Sequence, residues 1–434
     1  MIYLYMYNTQ RIWRCYVRKI KKVLLLIMAL SCVQFTTTIV MAQKEKKTTI
    51  RILHFWGDTD TDPSCKYLNI LLAEEFEKEF PDVDLVQITC DKETYKQKIK
   101  VLMAADELPD IMFDYGGGFS EAFVNAGRLL NLDSYLSDFY KAHVNEQYQN
   151  NFIYDGKQYG IGFTQWTGVL YCNQELFNKY NLEIPETFNQ LKSVCSEFRN
   201  EGIDPIACGM ADKWAGAQLI NNFMFQLCGL ELYNDMSEVR QSMNNDKVIQ
   251  AAQAVADLLG QGAFSENMMS MNSGDGEEEF LAGEAAMIYN GSWFARTVSD
   301  RLGDKVVAVK MPKLFGAVET NDYHGGCSAG WVVSSATQEP ELSVKIAEWL
   351  SYNIGTFQPE NSTFNIEKKD IRQKEDTLSQ QIQKLYKNKS DGAMNWDVLL
   401  TPERANIWLD TCTELLAGYT NGIGFSWTMD VHLY

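Results

Sequence analysis

The sequence lacks the short motifs that mark zinc hydrolases and nucleotide-binding sites. It contains four histidines, no HExxH zinc motif and no GxxxxGK(S/T) phosphate loop. The three glycines at 116–118 do not form GxGxxG, so they indicate either a tight loop or a close approach of the backbone to a ligand. No carboxylate pair or activated nucleophile stands out, so no motif favours a hydrolase. The run Glu277, Glu278 and Glu279 is interpreted as the solvated first turn of a helix.

Cysteine patterns typical of metal sites and disulfide frameworks are also absent. None of the ten cysteines forms a CxxC pair, and the eight that follow Ala42 are irregularly spaced. Several lie in apolar contexts such as VLYC and FQLCG. The pattern predicts buried free thiols, with no metal site and no cofactor.

Acidic residues are missing from residues 1–42, which carry six basic residues followed by the apolar run VLLLIMALSC. The run is too short to span a bilayer comfortably. Residues 1–42 are therefore predicted to be a secretory signal peptide cleaved after Ala42. An imperfect lipobox leaves a lipid anchor at Cys32 as a less favoured alternative, and an uncleaved membrane anchor is a third.

Positive charge is scarce in the rest of the chain. The net charge is −18, and removal of residues 1–42 would make it more negative by six. A strongly acidic surface repels nucleic acid and anionic lipid. We therefore expect no nucleic-acid partner.

Strand and helix patterns alternate from residue 48, with strands at TIRILHFW, VDLVQIT and PDIMFDY separated by helical segments. A second α/β pattern begins near residue 160. The order predicts a parallel sheet covered by helices, with ligands beyond the carboxyl ends of the strands. The loops FWGDTDTD (55–62) and FDYGGGF (113–119) both lie at such ends and should be neighbours.

Three alternating aspartates, Asp58, Asp60 and Asp62, resemble the start of a calcium loop. The sixth position from Asp58 is Pro63 instead of glycine and the twelfth is Asn69 instead of glutamate, which disfavours that interpretation. Aromatic residues and carboxylates together are instead typical of a sugar site, because sugars have apolar faces and hydroxyl edges. Five tryptophans are predicted to lie in turns, at positions 166, 214, 293, 331 and 396.

Several segments, in this order, resemble the extracellular solute-binding proteins of carbohydrate ABC importers, the maltodextrin-binding type. They include ILHFWGD, FEKEFPDVDLVQ, KIKVLMAADELPDIMFDYGGGF, FLAGEAAMIYNGSWF and GWVVSSATQEPELSVKIAEWL, and they extend from about residue 48 to 350. The combination of PDIMF, FLAGEAAM and GSW in one order is the specific part of the resemblance.

The resemblance implies an α/β, two-lobe periplasmic-binding-protein-like fold (type II), with hinge strands and a ligand cleft between the lobes. Lobe 1 would comprise residues 48–160 plus 328–360, and lobe 2 residues 161–327 plus 361–434. Hinge crossings are expected at 159–164, 324–330 and near 352–362. The C-terminus departs from the family pattern, because it lacks the usual long amphipathic helix.

The function that the resemblance implies is extracytoplasmic, non-enzymatic binding of a mono- or oligosaccharide, which is delivered to an ABC permease by a monomer. The predicted ligand-binding residues are Trp56, Asp58, Asp114, Tyr115, Gly116, Gly117, Trp166, Trp214, Trp293 and Trp331. Trp293 is the expected stacking aromatic, and Asp58 and Asp114 would accept hydroxyl hydrogen bonds. A secreted carbohydrate-active hydrolase and a same-fold receptor for a non-sugar solute remain the alternatives.

Overall fold

The computed structural model of this protein describes residues 47–57 and 63–433. The predicted signal peptide, the lipobox at Cys32 and the candidate ligand residue Asp58 lie outside the described residues.

Strands alternate with helices through the first half of the chain, as the sequence predicts. The strands are β1 Thr48–His54, β2 Val83–Thr89, β3 Ile111–Asp114, β4 Ile153–Tyr154, β5 Lys157–Gln158, β6 Gly160–Asn173, β7 Asp204–Ala207, β8 Ala285–Gly291, β9 Val306–Val309, β10 Tyr323–Val333 and β11 Gly392–Ala393.

The helices flank these strands, and several form the C-terminal part. They are α1 Pro63–Glu74, α2 Phe76–Glu79, α3 Lys92–Ala105, α4 Gly117–Asn125, α5 Asp138–His143, α6 Gln174–Lys179, α7 Phe188–Asn200, α8 Trp214–Ser237, α9 Asp246–Gly260, α10 Ser273–Leu281, α11 Ala295–Leu302, α12 Pro340–Gly355, α13 Thr377–Leu385, α14 Trp396–Leu399, α15 Pro402–Leu416 and α16 Gly422–Leu433. Gly229, at φ 73°, kinks α8. The segment KYLNILLAEEFEKEF before Pro81, whose apolar spacing predicts one helix, contributes to two short helices, α1 and α2.

Among the described residues, nine strands form one sheet, whose main path has the order β2-β1-β3-β10-β6-β8-β7. β1 and β3 run parallel, in register at Ile52–Ile111. β10 is antiparallel to both β3 and β6, so the sheet is mixed instead of purely parallel. Parallel pairing of β1 with β3 brings the two predicted loops to the same edge of the sheet.

The long strands β6 and β10 connect the two ends of the sheet. The first half of β6 pairs with β10, and its second half pairs with β8 and β9. A third segment follows beside β6, where Gln165 donates its N–H to Asn361 O at 2.8 Å and Thr363 donates to Phe163 O at 3.2 Å. These three neighbouring segments contain the sequence-predicted hinge crossings.

The β6–β8–β9 region is buried on both faces. Leu170 and Cys172 of β6 face one hydrophobic cluster, which includes side chains of α7, α8, α9, α15 and α16. Val169 and Tyr171 face a second cluster, which includes α11 and α13. Burial on both faces accounts for the continuous apolar run GVLYC, since a half-exposed strand would alternate with polar residues.

Backbone contacts divide the chain into a small and a large unit. The small unit comprises Met1–Thr49 and Phe80–Asp84, and in its described part Thr48 donates its N–H to Asp82 O at 2.8 Å. The large unit, Ile50–Glu79 with Leu85–Tyr434, contains all of the features analysed below. The sequence-predicted lobe boundaries remain a prediction.

Candidate functional site

One side of the main cavity, here called the first wall, consists of aromatic residues that follow β1 and β3. Phe55 and Tyr115 stack with their ring planes 9° apart and their centroids 6.0 Å apart. Trp56 is 2% exposed and packs edge-on against Phe113 at 5.2 Å. The aromatic residues of the first wall are therefore continuous with a buried aromatic core.

The opposite side, the second wall, contains three tryptophans from separate segments. Trp166 lies in β6, Trp214 is the first residue of α8, and Trp293 lies in the turn after β8. The ring centroid of Trp293 lies 5.1 Å from that of Trp166 and 6.3 Å from that of Trp214. The three indoles thus form one cluster, in which the start of α8 and the turn after β8 meet the middle of β6.

The walls enclose a cavity of about 450 Å³, large enough for a small organic molecule. Its polar lining carries both signs of charge and several amides and hydroxyls, from Asp91, Lys92, Lys96, Thr164, Asp212, Asn272, Ser273, Glu277, Ser328, Asn395 and Asp397. Aromatic faces and convergent polar groups therefore meet in one enclosed space.

Five of the ten predicted ligand residues line this cavity: Trp56, Tyr115, Trp166, Trp214 and Trp293. Asp58 falls outside the described residues. The other four lie behind the walls, where they support the cavity without lining it: Asp114, Gly116, Gly117 and Trp331.

Asp114 is fully buried and forms hydrogen bonds at the start of α4. Its Oδ1 accepts the Gly116 N–H at 2.7 Å and the hydroxyl of Ser120. Burial raises the pKa of Asp114 to about 6, and these hydrogen bonds oppose the rise. The carboxylate anchors the loop that carries Tyr115.

Gly116 and Gly117 are required by backbone geometry. Both have positive φ, at 73° and 56°, and a Cβ on Gly117 would lie 2.8 Å from Val398 O. The glycines allow the loop after β3 to pack closely against α14, whose Val398 lines the cavity.

Trp331 lies inside β10 and is fully buried, so the prediction that it lies in a turn is wrong. Its ring packs on Phe163 at 5.4 Å and edge-on against Trp56 at 6.0 Å. The prediction of a turn is also wrong for Trp166, which lies inside β6, and for Trp396, which is fully buried at the start of α14.

The glutamate run 277–279 was interpreted as a solvated first turn, and this is wrong for two of its members. Glu277 lines the cavity and accepts the amide N–H of Asn290 at 2.8 Å. Glu279 is buried beside Asp204, and desolvation raises its pKa to about 8. Glu278 alone faces solvent, where it pairs with Arg301 at 3.1 Å.

Residues 326–330, GCSAG, match the GxSxG pattern of nucleophile elbows, a match that the sequence reasoning missed. In that motif the serine occupies a sharp turn between a strand and a helix. Here Ser328 lies within β10, and its hydroxyl accepts the indole N–H of Trp166 at 3.1 Å. Ser328 thus orients a second-wall tryptophan, in a setting unlike that of a catalytic serine.

Lys92 and Asn395 are cavity residues that the sequence reasoning also missed. Lys92 begins α3, just beyond the end of β2, so the rule for strand ends could have identified it. Asn395 precedes Trp396 in a segment distant in sequence from either wall, and no local pattern marks it.

The described residues contain no group of three or more His, Cys, Asp or Glu side chains that could hold a metal ion. All eight cysteines after Ala42 are free, and all but Cys90 are buried, as predicted. In the part of the chain that the structure describes, no helix combines the length and apolarity needed to cross a membrane.

Comparison with known proteins identifies the family. The model of the bacterial extracellular solute-binding proteins matches residues 66–352. A solved structure, titled as giving insights into xylan utilization by Caldanaerobius polysaccharolyticus, is 30% identical with a TM-score of 0.82, over 89% of this chain and 100% of that chain. The chain belongs to the bacterial extracellular solute-binding proteins, and its fold is the predicted two-lobe α/β fold of periplasmic binding proteins.

More distant similarities agree with this assignment. The maltodextrin-binding protein MdxE of Bacillus subtilis is 26% identical over 57% of each chain. A solved chitin oligosaccharide binding protein shares the fold, with 21% identity and a TM-score of 0.78 over 89% of this chain and 98% of that chain. The chain spans about half the length of the curated relatives it matches.

Proposed function

We propose that this protein is the sugar-binding component of a carbohydrate ABC importer, and that it binds a mono- or oligosaccharide in the cavity between the first and second walls. The observation that carries the proposal is the meeting of five aromatic residues, predicted from the sequence and located on separate elements, around one cavity with a polar lining. Family membership supports the same function.

The chemistry of the cavity suits a neutral sugar. Indole and phenol rings cover the apolar faces of pyranose rings, while carboxylates and amides bind the hydroxyl edges. Trp293 is the central stacking residue, because it contacts both Trp166 and Trp214. Asp212, Glu277 and Asp397 supply acceptors for hydroxyl groups, and Asp58 is proposed to add another from the loop after β1.

Binding is proposed to occur without turnover. Ser328 faces an indole N–H instead of a base, and the buried His324 is hydrogen-bonded to Tyr289 and Asn395. The protein is proposed to act as a monomer outside the cytoplasm, with residues 1–42 as its leader and cleavage after Ala42 favoured over a lipid at Cys32. Its macromolecular partner would be a membrane permease, with no role for nucleic acid.

Closure of the two lobes is proposed to hinge on the three neighbouring segments of β6, β10 and residues 361–363. Lobe 1 would comprise residues 48–160 plus 328–360, and lobe 2 residues 161–327 plus 361–434. Since Trp166 and Ser328 lie on these segments and line the cavity, ligand contacts and hinge movement are expected to be coupled.

The proposal is tested by thermal shift and calorimetry with xylo-, malto- and chito-oligosaccharides. A ligand at about 100 times its Kd should stabilise the native state by roughly 2.7 kcal/mol. Trp293→Ala should abolish most of the shift. The matched control is Trp427→Ala, which removes an indole that is 58% exposed on α16 and does not line the cavity.

Three outcomes would contradict the proposal. Equal loss of binding in Trp293→Ala and Trp427→Ala would contradict the proposal that sugar binds in this cavity. Release of shorter sugars from an oligosaccharide by the purified protein would replace the receptor with a hydrolase. Failure of every sugar tested to bind would redirect the search to the non-sugar solutes of the same fold class.

A further inference from the structure

Asn395 occupies the N-cap position of α14, yet its side chain makes no capping hydrogen bond. Asparagine is favoured at N-caps because its oxygen accepts a backbone N–H of the first turn. Here Oδ1 instead accepts from His324 Nε2 at 2.9 Å. The residue also lines the sugar cavity, with 8% of its surface exposed. Its oxygen is thus directed away from its own helix by a tertiary contact.

The direction of this hydrogen bond follows from the buried state of His324. Complete burial lowers its pKa to about 3, so the ring is neutral and carries one N–H. His324 Nδ1 lies 2.7 Å from the hydroxyl of Tyr289, which can donate to it. The Nε2–H is then the donor, and the side-chain oxygen of Asn395 is the acceptor.

The hydroxyl of Tyr289 is oriented in turn by a buried chain of amides. Tyr289 accepts from Asn222 Nδ2 at 2.8 Å, and Asn222 Oδ1 accepts from Gln226 Nε2 at 2.9 Å. Gln226 is fixed by the backbone, since its Oε1 accepts the N–H of Leu314 at 2.9 Å. This series of hydrogen bonds begins at the backbone N–H of Leu314, which can only donate. That donor sets the direction of every later hydrogen bond in the series.

A second, independent route reaches the same orientation of Asn395. The backbone N–H of Trp396 donates to Asn221 Oδ1 at 3.4 Å, which directs the Nδ2 of Asn221 towards Asn395. That Nδ2 donates to Asn395 Oδ1 at 3.3 Å. Both lone-pair positions of the Asn395 oxygen are therefore occupied by protein donors.

Gly168 of β6 makes room for this arrangement. A Cβ at that position would overlap the hydroxyl of Tyr289 and would lie 2.9 Å from His324 Nδ1. The glycine, whose φ is not in the positive range, is thus required by the close approach of the two rings.

We propose that His324 is a positioning residue that locks the Asn395 amide with its NH₂ group towards the cavity, so that Asn395 acts as a neutral hydrogen-bond donor selecting a ring or hydroxyl oxygen of the sugar. The inference rests on the proposed function and deepens it. Four other residues of the lining, Asp91, Asp212, Glu277 and Asp397, carry carboxylates, which accept hydrogen bonds from ligand hydroxyls. A fixed neutral donor instead marks a place where the ligand must present an acceptor.

The test is a double-mutant cycle read by the Kd for whichever of xylotetraose, maltotetraose and chitotetraose the wild type binds. Asn395→Ala and His324→Leu should each weaken binding by about tenfold, the effect of one lost hydrogen bond. The double variant should be no weaker than either single variant. His324→Gln should restore most of the affinity, because its amide N–H can donate from near the position of Nε2.

A matched control separates positioning from folding. Asn245→Ala removes an asparagine that does cap its helix, α9, through the N–H groups of Lys247 and Val248. It should lower the thermal midpoint and leave the Kd unchanged. The cavity variants should show the opposite pattern, loss of affinity with a small change in midpoint.

The tautomer of His324 gives a readout that needs no sugar. Nitrogen NMR of the wild type should show a protonated Nε2 and an unprotonated Nδ1, retained down to about pH 4 as expected for a buried neutral ring. The opposite tautomer, or additive effects of Asn395→Ala and His324→Leu on the Kd, would overturn the inference. Absence of sugar binding by the wild type would overturn the proposed function instead, and the NMR result would still decide whether the hydrogen-bonded chain is correct.

Discussion

The two walls of the cavity present similar aromatic surfaces but are held in place by different means. Trp56 of the first wall contacts Phe113, Phe163 and Trp331, all of them fully or almost fully buried. Trp214 of the second wall contacts Trp293, which itself lines the cavity, and the ammonium of Lys92. The first wall is thus the edge of a hydrophobic core, whereas the second wall is a cluster of indoles contributed by three separate elements.

Because of this difference, substitutions in the two walls should have different effects on the stability of the protein and on its affinity for sugar. A change in the first wall removes contacts from the core and from a ligand together. In the second wall, Trp293 packs against the second hydrophobic cluster, whereas Trp214 belongs to neither cluster. A change at Trp214 should therefore remove ligand surface while leaving these clusters intact. The experiments below test that separation, from the largest expected effect to the smallest.

The strongest test is Trp56→Ala in the first wall. Because the indole is almost fully buried among aromatic rings, its truncation should lower the free energy of unfolding by about 3–5 kcal/mol, as well as weakening sugar binding. Urea unfolding monitored by circular dichroism measures the first effect. A variant of unchanged stability would contradict the description of the first wall as part of the core.

The second test concerns pH and the carboxyl group beneath the first wall. Burial raises the pKa of Asp114 from 3.8 to about 6. The folded state therefore holds the proton more tightly than the unfolded state. The resulting stabilisation is fully present below about pH 4 and is lost as the pH rises through about 6.

Asp114→Asn removes this titration while keeping an oxygen for the Gly116 N–H. Between about pH 4 and about pH 7, the difference in unfolding free energy between wild type and variant should change by roughly 2–3 kcal/mol, with the wild type losing more. Other titrating groups cancel in that difference. Parallel pH profiles of the two proteins would show that Asp114 does not titrate in this range.

The first wall was largely predictable from sequence, and the reason is topological. Parallel strands end at one edge of a sheet, so residues 55–56 and 114–115 could be placed together once β1 and β3 were recognised. The sequence did not indicate which of these residues line the cavity and which are buried behind it. Trp56 and Tyr115 reach the cavity, while Asp114 and Trp331 lie behind it, because alternation along a strand is ambiguous when both faces are buried.

The second wall was predictable only in part. Trp166, Trp214 and Trp293 stood out because they lie in polar or glycine-rich contexts. Asn395 and Ser328 did not, because each acquires its role through a partner distant in sequence, His324 for Asn395 and Trp166 for Ser328. Local patterns cannot identify a side chain whose orientation depends on tertiary hydrogen bonds.

The third test is Trp214→Ala in the second wall. Loss of one aromatic face should weaken sugar binding by about tenfold, roughly 1–2 kcal/mol, while the thermal midpoint stays close to that of the wild type. Calorimetry and a thermal melt on the same preparation measure both quantities. A large drop in midpoint would mean that the second wall is also part of a core, and the contrast between the walls would not hold.

The smallest expected effect comes from Lys92, a side chain that bridges the walls. Lys92 begins α3 on the side of the first wall, and its ammonium lies 4.5 Å from the ring centroid of Trp214 on the second wall. A cation–π contact of this kind is worth about 0.5–1 kcal/mol at a partly exposed site. Since it joins the walls across the cavity, it should favour the closed arrangement.

Lys92→Met keeps most of the stem and removes the charge, so we expect the Kd for sugar to rise by about two- to fivefold. The matched variant is Lys96→Met, because the Lys96 ammonium lies 5.7 Å from the ring of Tyr115 on its own wall. Stopped-flow tryptophan fluorescence should then show faster sugar dissociation for Lys92→Met than for Lys96→Met. Equal dissociation rates would mean that Lys92 only lines the cavity. Its contact with Trp214 would then not hold the walls together.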